Sequence, residues 1–213
     1  MNGLREEKKR ATRRAILDAA VELFAERGFE RTSIGELARA AGIGKGTIYG
    51  YFRTKEEIFL AFCEEEIDYA FAVLAKQSDP RAPLLEQLLT LFLSQFRFVT
   101  RNREFGRLLV REMAFPPAAG CGRARDLDAR YLAALGDILE SAGRRGELRP
   151  DYDPFLASVH FYALYLVALS GWYTGYLNSA AEVEISLRQV FRQALEGLGP
   201  QGAPAATPKD SPR

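Results

Sequence analysis

Lys45, Thr47, Tyr49 and Tyr51 recur at alternate positions around Gly44 and Gly46, and these residue types suit contact with a polyanion. Lysine supplies a point charge for phosphate. Threonine and tyrosine hydroxyls reach phosphate oxygens or base edges, and tyrosine rings pack against thymine methyls. If a helix starts here, its first amides add positive dipole toward phosphate. Gly46, having no Cβ, lets that helix approach closely. Lys55 is placed to clamp a phosphate at the start of the next helix, and Ser33 can bond phosphate as well as cap a helix. Ile43, Ile48 and Phe52, interleaved with these positions, read as a small core. The chemistry on offer is duplex DNA binding.

Charge points the same way. The 213-residue chain has a net charge of only +1, yet Arg5, Lys8, Lys9, Arg10, Arg13 and Arg14 crowd the N-terminus against Glu6 and Glu7. Such asymmetry suits a polyanion partner for one end of the molecule. Cys63 and Cys121 are too few for a disulfide framework or a thiolate zinc site. No metal or cofactor is called for, and a reducing cytoplasm fits best. Arg, Asp and Glu interrupt every early apolar run, so no signal peptide is visible. There is no phosphate-cradling glycine loop, nucleophile elbow or His/Cys metal spacing. An enzyme would have to rest on His160, the single histidine, as general base; a helical partner-binding protein is the other alternative.

Nearly every segment repeats its apolar residues at helical spacing, so the chain is expected to be all-α. Ala15, Ile16, Ala19, Ala20, Leu23 and Phe24 form one stripe that stops near Gly28. Ser33 with Glu36 makes a capping box for a helix through about Ala40, and Thr54 with Glu57 makes another for a long helix to about Lys76. Between them, Ala41-Gly42-Ile43-Gly44 breaks the chain and a short helix is predicted over 45–52. Further helices are predicted from Leu84 to Val99, Phe105 to Met113 and Arg125 to Ala142, with a loop over 115–122. Asp153-Pro154 opens an apolar helix and Ser179 with Glu182 a last amphipathic one. Residues 201–213, rich in Pro, Ala and Gly, are expected to be a disordered tail.

Two short helices about a glycine turn make a helix-turn-helix, which lays its second helix in the major groove. Thr32-Ser33-Ile34, Leu37-Ala38, Ala41-Gly42-Ile43, Lys45-Gly46-Thr47-Ile48-Tyr49-Gly50-Tyr51-Phe52 and Lys55-Glu56-Glu57-Ile58 resemble the TetR family of transcriptional regulators, without a gap, over roughly Arg13 to Phe62. The resemblance implies an all-helical homodimer. A three-helix DNA-binding domain, placed at 1–53, would precede a helical effector-binding and dimerisation domain at 54–200. It also implies a repressor that leaves a palindromic operator when a small molecule binds. Gly50 departs from the pattern: the family usually carries there a polar or basic side chain able to reach DNA, and that contact is missing.

No Asp, Glu, Lys or Arg occurs from Pro154 to Ala181, a run long enough to span a membrane. Ser158, His160, Ser170, Thr174, Asn178 and four tyrosines make it too polar for lipid, so a helix buried on all sides within protein is expected. On it, His160 reads as a hydrogen-bonded core group. Gly171 and Gly175, four apart, would permit close helix approach across a dimer, with Val190 and Ala194 on the following helix. The resemblance implies an effector cavity in the second domain. Phe96, Phe105, Tyr131, Phe161, Tyr165 and Trp172 are the candidates to line it, and such a lining favours a hydrophobic ligand.

Overall fold

The computed structural model describes residues 2–114 and 121–198, and all nine elements among them are helices. They are α1 (Asn2–Arg27), α2 (Ile34–Ala40), α3 (Lys45–Ile48), α4 (Lys55–Gln77), α5 (Leu84–Val99), α6 (Arg103–Ala114), α7 (Cys121–Arg144), α8 (Pro154–Thr174) and α9 (Ala180–Leu198). Most of the predicted loop and all of the predicted tail lie outside the described residues.

The capping chemistry sets the boundaries. Ser33 accepts from the Glu36 amide while Glu36 reaches back to the Ser33 amide. At α4 and α9 the boxes are skewed by one residue. Thr54 accepts from the Glu57 amide, but Glu57 reaches the amide of Arg53; Ser179 and Glu182 repeat this with Asn178. Gly28 ends α1 with φ +84°, a conformation that favours glycine. Several predicted boundaries move, and α7 starts at Cys121, inside the predicted loop, rather than at Arg125. α3 keeps only four residues, because Gly50, Tyr51 and Phe52 bond back to Thr47 and Ile48 in tight turns before the Thr54 cap. Gly143 lies inside α7, which closes through Gly146 at φ +78°.

Ile16, Phe24, Leu37, Ile48 and Phe52 close the small core of the first three helices. α4 continues from that core and packs along α5; α7 packs along α8, and α8 against α9. α6 bridges the two regions by lying on α1 and α8. Gly106 makes the α6–α8 crossing possible, since a Cβ there would fall 1.9 Å from the Tyr173 hydroxyl and 2.4 Å from the Val99 carbonyl.

α8 is not buried on all sides, contrary to the sequence reading. Leu156, Val159 and Val167 are exposed along it, Val167 by 71%, and His160 shares that open face rather than the core. Length and composition would let this helix cross a membrane. Gly175 also differs: with φ +81° it is the C-cap of α8, and the Gly171 carbonyl takes the amides of Tyr176 and Leu177. The glycine spacing that suggested a smooth helix face therefore belongs to a helix terminus, and the Gly171 position is covered by Leu177 of the same chain. Ala194 is buried within the subunit and Val190 is half-buried.

Candidate nucleic-acid interface and effector site

Thr32, buried beneath the recognition segment, donates to the Gly28 carbonyl and so locks the end of α1 to the start of α2. Gly42, at φ +68°, turns the chain, and the Ile43 amide returns to the Ala38 carbonyl. α3 then begins at Gly44, whose carbonyl takes the Thr47 and Ile48 amides. The amides of Lys45 and Gly46 precede that first helical bond. Ile48 is fully buried, which turns the rest of the segment outward. Ser33, Lys45, Gly46, Thr47 and Tyr49 share one exposed surface, with Tyr51 half-buried beside it. Open space surrounds the position a Gly46 side chain would take, whereas one at Gly50 would come 3.2 Å from the Thr47 carbonyl.

Lys55 is more committed than its spacing implied. Its Nζ donates to the carbonyls of Phe29 at 2.9 Å and Glu30 at 3.2 Å, above the Phe29 ring. The third proton faces the exposed Glu30 carboxylate at 3.4 Å, a weak contact that a phosphate could replace. Arg13 and Arg14 are likewise engaged, both pairing with Glu65 of α4. Arg5, Lys8, Lys9 and Arg10 stay exposed on α1.

The six candidate pocket aromatics do not share one wall. Phe105 stacks among Phe24, Phe59 and Phe62, where α6 meets α1 and α4. Phe161 and Tyr165 pack with Phe92 and Phe191 in the core of α5, α8 and α9. Trp172 stands edge-on to Phe96 at 5.2 Å. Tyr131 lies between Phe71 and Tyr162 and donates to the Gln95 side chain at 3.1 Å.

Beside Phe105, a cleft of about 400 Å³ opens between α1, α4 and the α5–α6 corner. Its floor is Phe62, Phe98, Val99 and Phe105, and its rim carries Arg14 and Arg101 with Asp18 and Glu22. Arg101 lies over the rings of Phe98 and Tyr69. One turn further along α4 is Glu66, only 2% exposed. Burial, slightly offset by the Gln95 hydrogen bond, pushes its carboxyl up to about 8. Sequence reading missed this residue because Glu64-Glu65-Glu66 looks like a solvated run. The signal was nonetheless present, since the apolar stripe Phe59, Phe62, Ala70, Leu74 passes through position 66. No group of three His, Cys, Asp or Glu side chains able to hold a metal occurs among the described residues.

Residues 16–62 match the family of bacterial regulatory proteins described as the tetR family. Over 149 residues, 70% of this chain and 77% of the relative, the sequence is 26% identical to the fatty acid metabolism regulator protein of Bacillus subtilis. Among solved structures, the transcriptional regulator FadR of Bacillus subtilis, determined with stearoyl-CoA, superposes with a TM-score of 0.73 at 22% identity, covering 86% of this chain and 98% of that one. The Thermus thermophilus FadR, a TetR-family repressor determined with lauroyl-CoA, gives 0.61 at 25% identity, covering 92% and 99%.

Proposed function

We infer that this chain, a TetR-family transcriptional regulator, is a cytoplasmic homodimeric repressor that leaves a palindromic operator when a long-chain acyl thioester binds. The cleft beside Phe105 carries the reading. Its apolar floor, under a rim on which Arg101 and Arg14 stand with Asp18 and Glu22, suits an amphiphile whose anionic head pairs with arginine, and the relatives determined with stearoyl-CoA and lauroyl-CoA hold ligands of that class.

Residues 1–53 would hold the DNA, with Lys45, Thr47 and Tyr49 reaching the groove and Ser33 and Tyr51 the backbone, joined there by Lys55 at the start of α4; residues 54–200 would hold the effector and the dimer contact. Release follows from position: the cleft wall includes α1 of the DNA-binding region as well as α4, so a ligand that wedges there favours a different spacing of the two recognition helices. Dimerisation is supported by the exposed Leu156, Val159 and Val167 of α8, joined by Ile185 of α9, because an apolar face of this kind is ordinarily covered.

The test is release of an operator obtained by in vitro selection, followed by fluorescence anisotropy. Hexadecanoyl-CoA is expected to release the duplex at micromolar concentration while free coenzyme A does not. Equal potency of the two, or no release by either, would overturn the assignment.

A further inference from the structure

Glu66 comes from α4, Gln95 from α5, Tyr131 from α7 and Tyr165 from α8, and all four are buried to within 4% of full burial. Their bonds run in one direction: Tyr131 donates to Gln95, and Gln95 donates to Glu66. The Tyr165 hydroxyl has no partner among the described residues. Among the described residues no positive side chain acts on Glu66. Its neighbours are Cys63 on its own helix, Gln95 on α5, Tyr131 on α7 and Tyr162 and Tyr165 on α8, with the Asp128 carboxylate also on α7. A carboxyl without a cation in such surroundings keeps its proton and is a hydrogen-bond donor. Two donors, the Glu66 carboxyl and the Tyr165 hydroxyl, thus stand in the interior. Buried polar groups left so incompletely bonded call for an explanation.

Their place relative to the cleft supplies one. Glu66 follows Phe62 by four residues on α4, and Gln95 precedes Phe98 by three on α5. Glu66 and Gln95 therefore lie about one helical turn, ~5.4 Å, along α4 and α5 from the phenylalanines of the cleft, beyond its lining. We propose that Glu66, Gln95 and Tyr165 form a specificity site for an oxygen-bearing group, a hydroxyl or carbonyl, carried by the acyl chain near its thioester end. An unsubstituted chain would pass the same point leaving both donors unbonded; an oxygen there accepts from them. Sites built to hydrogen-bond a substrate oxygen discriminate against the analogue without it far more strongly than apolar pockets discriminate by a methylene.

This assignment rests on the acyl-thioester reading, and the experiment separates the two. The full chain is titrated calorimetrically with hexadecanoyl-CoA, 3-hydroxyhexadecanoyl-CoA and 3-oxohexadecanoyl-CoA. The expected result is binding of at least one oxygenated thioester roughly tenfold or more tightly than hexadecanoyl-CoA. Glu66→Leu and Tyr165→Phe should each reduce that preference to about twofold or less. Tyr165→Phe keeps the ring and its packing on Phe92, so its outcome does not depend on Glu66→Leu folding. Equal binding of all three by the unaltered protein, or a preference that survives both substitutions, overturns the specificity site alone. Failure of all three to bind overturns the acyl-thioester reading and the site with it.

Discussion

Glu66 couples the interior of the bundle to pH. Its carboxyl titrates near 8 in the folded chain against an ordinary value of 4.5, so the folded state holds the extra proton between those limits. Stability from this group is therefore fully present below 4.5 and is lost as pH rises toward 8, at about 1.4 kcal/mol per unit inside the window. Glu66→Leu removes the term, and the difference in unfolding free energy between variant and parent should grow by roughly 3 kcal/mol in the variant's favour from pH 5 to 7.5. Denaturant titrations at the two values measure it, and a constant difference would show that Glu66 is ionised in the fold. Lys55 allows a second test at the same scale. Two of its three protons are held by carbonyls at the end of α1. Lys55→Ala is thus expected to cost about 1 kcal/mol of stability even without DNA. If the third proton also reaches phosphate, the slope of log affinity against log salt falls by about one as well. An unchanged slope would assign Lys55 to the fold alone.

At the scale of elements, the legible features are those written in local chemistry. Ser33 with Glu36, Thr54 with Glu57, Asp153 with Pro154 and Ser179 with Glu182 each mark a helix start, because the free amides of a first turn must be satisfied by nearby side chains. The recognition segment was legible for the same reason, its turn glycines and its buried Ile48 lying within a dozen residues. What depends on distant neighbours was not. The free face of α8 could not be told from a buried one, as Leu and Val serve both, and Gly171 and Gly175 look alike until φ distinguishes a helical residue from a cap. The grouping of aromatics failed likewise: nothing local to Phe105 shows that it faces Phe24 and Phe62 rather than Trp172. Gly106 belongs to this non-local class, yet its consequence is sharp. The Cβ of Gly106→Ala would collide with the Val99 backbone carbonyl, which cannot swing aside as the Tyr173 ring can. The α5–α6 corner should open, at a cost of about 2 kcal/mol or more. Thermal unfolding checks it, and a Tm within a degree of the parent would mean that the corner yields freely.

For the whole molecule the question is how one exposed face and one recognition surface make a switch. Each subunit offers a four-residue α3 with few side chains able to read bases, which by itself holds an operator weakly. On the proposed reading, two copies joined through α8 would bind the two half-sites of a palindrome as one, and the second contact would become intramolecular, raising overall affinity by about 10² to 10⁴. The same joining makes spacing decisive, so a ligand acting on α1 and α4 can release DNA without touching α3. In such a dimer both effects would depend on the exposed apolar stripe that includes Val167. Val167→Asp puts a charge in that stripe, where pairing through α8 would bury an unpaired carboxylate from each copy. Because Val167 is already exposed in the subunit, the fold should survive with unchanged helix content. The variant is expected to sediment as a monomer at micromolar concentration and to bind the palindrome about 100-fold more weakly, with affinity for a single half-site unaltered. A dimeric variant with full operator affinity would place the subunit contact elsewhere than α8.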